Sequence, residues 1–252
     1  SFALMDFGTG KAIARRVAME LKKGWAVNLG FGVSANVPRI FIEEGLHGEA
    51  TWVIEQGAVG GVPLLEFQFG CAPNAEALVP PAYQFTYFQA GGFDSSLLSF
   101  LQIDRHGSIN VSKLGARPHV TAGAGGFVDI TTRAKRIVFS GFFNAGAKMD
   151  IVVGKLRIEK EGKVKKLVNE VEQISFSGKR GVMQGQDVTY VTERCVMKLT
   201  PEGVMVTEIA PGVELQSNIL DQSEFPLLVS SQLKVMHADL FKPGKMGLKL
   251  HV

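Results

Sequence analysis

The chain reads as an α/β protein, with a parallel crossover in its first part and antiparallel hairpins in its C-terminal part. Two patterns predict this. Residues 25–55 run strand, glycine turn, helix, strand, which is one βαβ crossover. From about residue 149, short runs of alternating apolar and polar residues are separated by Gly and Pro turns, the pattern of hairpins. The composition agrees: 46% hydrophobic and 20% charged over 252 residues buries a sizeable core, as one large domain or two lobes.

Residues 9–24 are expected to be helical, because Ile13, Val17 and Leu21 recur four apart. Thr9 or Gly10 would cap the start and Gly24 would end it. The Gly8–Lys11 segment hints at a phosphate loop but lacks the spacing of one. Trp25–Leu29 reads as a strand, Gly30–Gly32 as a tight turn, and Val37–Leu46 as a helix closed by Gly48. The turn from Gly30 to Ser34 is half of a dinucleotide fingerprint, with no third glycine at the required offset. A helix start whose free N–H groups meet an anion and a simple packing turn fit it equally.

Trp52, Val53 and Ile54 then form a short apolar strand that stops at Glu55, with Gly57, Gly60 and Gly61 behind it. A carboxylate is thereby presented at a strand end, where open α/β sheets bind ligands. Taken alone, a Glu-x-Gly of this kind reads first as a carboxylate capping the following turn. Residues 62–96 read as a loop-rich stretch, with Pro63, Pro73, Pro80 and Pro81 and six aromatic residues including Phe69 and Phe85, structured as a pocket wall or subunit contact.

Leu97–Ile103 reads as a buried strand, Asp104–Gly107 as a turn with a solvated His106, and Ser108–Ser112 as the returning strand. In the segment 121–129, Gly123, Gly125 and Gly126 would let backbone amides approach a ligand or an oxyanion, while Asp129 bonds nearby backbone. Arg136–Gly141 reads as another core strand. A hairpin turning at Lys160–Gly162 follows, with Lys160, Lys163, Lys165 and Lys166 on a solvated face. A second hairpin turns at Thr200–Gly203, and residues 213–222 look helical.

Composition excludes several functions. A net charge of +3, evenly spread, argues against nucleic acid and tolerates an anionic ligand. Cys71 and Cys195 lack metal-site or disulfide-framework spacing, which fits a reducing compartment such as the cytoplasm, or the mitochondrial matrix in a eukaryote. No apolar run reaches membrane-span length. Beginning at Ser1 rather than Met, the chain reads as a processed product, a subunit or a fragment.

The segments Asn28–Val33, Glu55–Gly57, Gly91–Ser95, Leu101–Asp104, Gly123–Asp129 and Glu208–Gly212 stand in one order. In that order they closely resemble the glutamate-bearing, C-terminal or β half of family I coenzyme A transferases, in the acetate/propionate short-chain acyl-CoA branch. The resemblance covers the chain almost end to end. It implies an open α/β/α sandwich on a mostly parallel sheet, with residues 1–252 as the catalytic domain and a lobe edge near 149. It also implies that Glu55 is the nucleophile, carrying a glutamyl-CoA thioester. By motif position, Gly30, Phe31, Gly32, Val33 and Ser34 would touch CoA. The Gly125 and Gly126 backbone would serve CoA and the oxyanion, and Leu101 and Gln102 would line the CoA channel.

The implied reaction moves CoA between a short-chain acyl-CoA and a free carboxylate, such as acetate or a 3-oxoacid. CoA would be substrate and covalent intermediate, with no metal and no tightly bound cofactor. The partner would be the family's other, N-terminal or α half, as a separate chain or a removed segment, in an oligomer without nucleic acid or membrane. Two other readings remain open: an acyl-CoA hydrolase on the same scaffold, and a non-catalytic effector-binding module.

Overall fold

A computed structural model describes residues 3–115 and 123–251. Its centre is a ten-stranded sheet. In chain order the strands are β1 (Ala26–Leu29), β2 (Thr51–Val53), β3 (Ala58–Val59), β4 (Ala77–Leu78), β5 (Ser95–Ser99), β6 (Arg136–Ser140), β7 (Asp187–Val191), β8 (Cys195–Thr200), β9 (Gly203–Ile209) and β10 (Leu228–Val235). In space they run β10-β9-β8-β7-β6-β5-β1-β2-β3-β4. The run β2-β1-β5-β6-β7 is parallel throughout, with antiparallel pairs on both flanks. Strands from both sides of residue 149 therefore join one sheet.

Among the described residues there are five longer helices: α1 (Thr9–Ala18), α2 (Val37–Glu44), α3 (Pro81–Gln89), α4 (Phe127–Arg133) and α5 (Gly178–Met183). The connection β1-α2-β2 steps one way across the sheet, and β5-α4-β6 steps the other. Parallel crossovers are right-handed, so α2 and α4 cover opposite faces, and the direction reverses between β1 and β5. That gives the expected layered sandwich. It also places a topological switch point, the crevice where such sheets take ligands, at the carboxyl ends of β1 and β5.

The first crossover matches expectation in position and direction, with Ala26, Val27 and Asn28 registered against Thr51, Trp52 and Val53. Helix boundaries differ. The first helix stops at Ala18 instead of 24, because Lys22 bridges His251 and Gly24 donates to the Glu49 carbonyl. The second ends at Gly45, which takes the left-handed conformation, so Gly48 lies in the turn beyond.

Larger corrections concern the stretches without clear period. The loop-rich 62–96 contains α3, begun by Pro81 at its first position, where proline costs no hydrogen bond. The expected strand 97–103 breaks after Ser99. Gln102–Asp104 peels away to pair with Ile109–Asn110 and Leu167–Val168 in a small separate sheet. The first C-terminal hairpin turns at Val153–Gly154, both at positive φ, pairing 148–152 with 155–160, rather than at Lys160–Gly162.

Asp187–Val191 and Cys195–Thr200 are two antiparallel strands. Thr192 Oγ1 accepts from the amides of Arg194 and Cys195 and folds the chain between them. Lys166 is no solvated face residue: its ammonium lies 4.2 Å from the centroid of the Phe100 ring, and burial lowers its pKa to about 8. The second C-terminal hairpin, β8 to β9, turns where expected. Among the described residues, no helix is long and apolar enough to cross a membrane.

Candidate active site

Glu55 occupies the second position of a tight turn whose Ile54 carbonyl accepts from the Gly57 amide at 2.9 Å. The buried Trp52-Val53-Ile54 run anchors the turn to the sheet, and Gly57 presses its far side against another backbone segment. A Cβ on Gly57 would lie 1.9 Å from the Val79 carbonyl oxygen, at a φ of +112°, so only glycine fits. The half-buried carboxylate leans toward the segment before α4, where the Gly126 amide donates to Glu55 Oε2 at 3.2 Å. Gln56 Nε2 lies 3.5 Å from the other oxygen.

Burial raises the Glu55 pKa, and the Gly126 hydrogen bond works in the opposite direction by favouring the charged form. The group is thus a partly desolvated carboxylate with one backbone donor on it. Such a carboxylate has fewer water molecules to shed before reaction than a fully exposed one.

Glu55 lies on the wall of a cavity of about 370 Å³ at the switch point. Gly30, Phe31, Leu101 and Gly125 also line it, so four more of the residues expected from motif position meet Glu55 there. Gly126 touches the carboxylate directly. Gly32 and Val33 continue from Phe31 into a short 3-10 turn at the start of α2. Two other expected residues face elsewhere. Ser34 is fully buried, its hydroxyl 2.6 Å from that of Ser140. Gln102 turns away from Leu101, as successive residues of an extended chain do. Its amide donates to Glu172 and accepts from Asn110 and the Glu172 amide.

The cavity also contains residues that sequence reasoning missed. Phe69, Leu98, Val111, Leu114, Phe127 and Ile130 give it a largely apolar wall. Phe69 belongs to the aromatic stretch expected to form a pocket wall or a subunit contact, and its ring meets Phe31 edge-on at 5.6 Å. Phe127 stands within the Gly123–Asp129 segment, and the others carry no sequence signal beyond hydrophobicity. Asp129 accepts from the Gln89 side chain at 2.8 Å and so joins α4 to α3, instead of bonding nearby backbone. Thr121 and Ala122 of the small-residue segment lie outside the described residues. His106 is exposed in its turn, away from the cavity, as expected.

Comparison with known proteins gives this geometry a family. No family model matches the chain. Caffeate CoA-transferase of Acetobacterium woodii is 46% identical over 241 residues, covering 94% of this chain and 46% of that protein. Acetate CoA-transferase YdiF of Escherichia coli O157:H7 is 39% identical over 241 residues, covering 95% and 45%. A crystal structure of that enzyme as a thioester complex with CoA superposes with a TM-score of 0.91 at 37% identity, over 99% of this chain and 47% of that one. The β subunit of acetate CoA-transferase from E. coli K12 is 25% identical over 238 residues, covering 90% of this chain and 97% of the subunit.

Fold and site together define an α/β protein with a carboxylate presented at the switch point of a parallel sheet. By sequence and fold the chain belongs to the family I coenzyme A transferases. It spans about half the length of these curated relatives.

Proposed function

We propose that this chain is the glutamate-bearing catalytic half of a short-chain acyl-CoA:carboxylate CoA-transferase, with Glu55 as the covalent nucleophile. The observation that carries the reading is the Glu55 carboxylate, partly desolvated, hydrogen-bonded by Gly126 and facing a cavity at the switch point.

In this reading the ionised Glu55 oxygen attacks the thioester carbonyl of acyl-CoA, and the carbon–sulfur bond breaks. A mixed anhydride remains on Glu55 and CoA leaves as thiolate. The thiolate attacks the Glu55 carbonyl carbon, forming the enzyme–CoA thioester and expelling the first acid as carboxylate. A second carboxylate then reverses both steps and leaves with CoA, which is ping-pong chemistry.

Carboxylates attack thioesters poorly, so placement and oxyanion stabilisation must supply most of the rate. One well-aimed amide donor contributes roughly 3–4 kcal/mol. The Gly125–Gly126 backbone is the candidate donor pair for the oxyanion. The turn from Gly30 to Val33 and the Leu101 side chain are the candidate contacts for the CoA arm, whose binding energy is available to the reacting centre. Ser34 and Gln102, turned into internal networks, would support those contacts from behind.

The partner is the family's other half, as a separate chain or as the remainder of a longer one, in an oligomer working in a reducing compartment such as the cytoplasm. Supporting this, two curated relatives are about twice the matched length, while a β-subunit relative matches over nearly its whole length.

The test measures CoA release and acyl-CoA formation by the complete two-part enzyme, with and without a carboxylate acceptor. Acceptor-dependent acyl-CoA formation with parallel-line kinetics supports transfer. Equal CoA release without acceptor would make the protein a hydrolase, and no turnover with both halves present would favour a binding module.

A further inference from the structure

The catalytic turn is gripped from behind by one helix. Helix α3 follows directly from Val79, whose amide donates to the Gly57 carbonyl at 2.8 Å, closing the turn against the helix start. One turn into α3, Gln84 is 2% exposed and sends Nε2 to the Ile54 carbonyl at 3.0 Å. That carbonyl also accepts the Gly57 amide, so it takes two donors, and it immediately precedes Glu55 in the chain. A buried side-chain amide is thus spent on the peptide unit that aims Glu55.

The next residue faces the other half of the pair. The Phe85 ring closes on Gly126: a Cβ there would lie 2.7 Å from Phe85 Cε1 and 2.6 Å from Glu55 Oε2. Four residues on, Gln89 bonds Asp129 of α4, one turn beyond Gly126. Helix α3 therefore touches the Glu55 turn through Gln84 and its hydrogen-bond donor through Phe85.

From this geometry we propose that Gln84 is a positioning residue for the transfer reaction: with Phe85 beside it, it holds the Glu55 turn and the Gly126 amide in mutual register. The inference rests on Glu55 being the nucleophile. Gln84 does not touch substrate and acts only through the Ile54 carbonyl, so losing its amide leaves the cavity and CoA contacts intact but lets the carboxylate wander. Misplacement of a reacting group by about 1 Å costs roughly a hundredfold in rate.

The experiment uses the complete two-part enzyme carrying Gln84→Met, which keeps side-chain length and removes the donor. Single-turnover formation of the enzyme–CoA thioester is followed at saturating acetyl-CoA, beside steady-state KM and thermal unfolding. The expected result is a thioester-forming rate reduced roughly tenfold to a hundredfold, with KM for acetyl-CoA within about twofold and unfolding still cooperative above the assay temperature. Phe85→Leu, which loosens the same grip without touching the turn, should also lower the rate more than it changes KM. If Gln84→Met does not fold, Phe85→Leu decides by that same split.

A wild-type rate in Gln84→Met would overturn the inference. So would a change confined to KM in whichever variant folds. Failure of wild type to form any thioester on Glu55 would instead overturn the functional reading, so the two failures are distinguishable.

Discussion

The Gly126 amide donates to Glu55 Oε2 at 3.2 Å across 71 residues of sequence, joining the turn after β2 to the start of α4. Both groups stand on buried, glycine-backed elements, so their separation is set by the sheet and by α3 rather than by side-chain choice.

Exchange should depend on pH through Glu55. Burial raises its pKa above the ordinary carboxylate value, and in the proposed mechanism only the ionised form attacks. As pH falls, kcat/KM, which reports the free enzyme, should decline through a pKa higher than that of a solvated glutamate. An acid limb at or below the ordinary glutamate value would contradict the placement of Glu55.

Replacing Glu55, the proposed nucleophile, should trade function for stability. A carboxyl whose folded pKa is raised contributes stability that is full below its unfolded pKa and is lost as pH rises through the folded pKa. At pH 7 the ionised Glu55 is therefore a net cost to folding. Glu55→Gln should raise the thermal midpoint at pH 7 relative to wild type and have a smaller effect at pH 4. Exchange should fall by more than roughly a thousandfold, as removal of a covalent nucleophile does. Calorimetry at the two pH values and an exchange assay check both halves.

Gly126→Ala isolates steric contact from backbone strain. Gly126 has φ −77°, which alanine adopts freely, yet its Cβ would meet Glu55 Oε2 and the Phe85 ring. Something must shift, so exchange should drop by about a hundredfold, with a stability loss of about 1–3 kcal/mol from overpacking. Denaturant unfolding and kinetics on the same preparation separate the two effects.

Lys166 offers a test away from the site. Its pKa is lowered by burial to about 8, with the negative charge of Glu193 opposing the shift. A base with a depressed folded pKa costs stability wherever the unfolded chain would hold the proton. The cost is present at neutral pH and fades as pH rises above the folded value toward the unfolded one. Lys166→Met should therefore stabilise the fold by about 1–3 kcal/mol at pH 7 and by less at pH 10, measured by urea unfolding.

Sequence made part of this architecture legible. The crossover from Trp25 to Glu55 was readable because strand, glycine turn, helix and strand each carry the local pattern of their element, and the structure places them in that register. The small-residue segment pointed to amides near a ligand, and Gly126 does touch Glu55.

What sequence hid was set by tertiary context. Helix α3 lacks a polar face with helical period, since its rings split between Phe88 in the core and an exposed Tyr83. Gln84 therefore gave no sign of reaching the Ile54 carbonyl. Val153 sits at φ 49°, a conformation β-branched residues avoid, so the hairpin turn there resembled the middle of a strand. The β10 strand is half-exposed at a sheet edge and carries too few alternating apolar residues to declare itself.

The most direct measurement is mass-spectrometric mapping of the complete enzyme after incubation with acyl-CoA, with the thioester trapped by borohydride reduction. A modification confined to the peptide bearing Glu55, reversed by added carboxylate before trapping, is the predicted result. Turnover with an unmodified Glu55, or an adduct on any other residue, would contradict the assignment of the nucleophile.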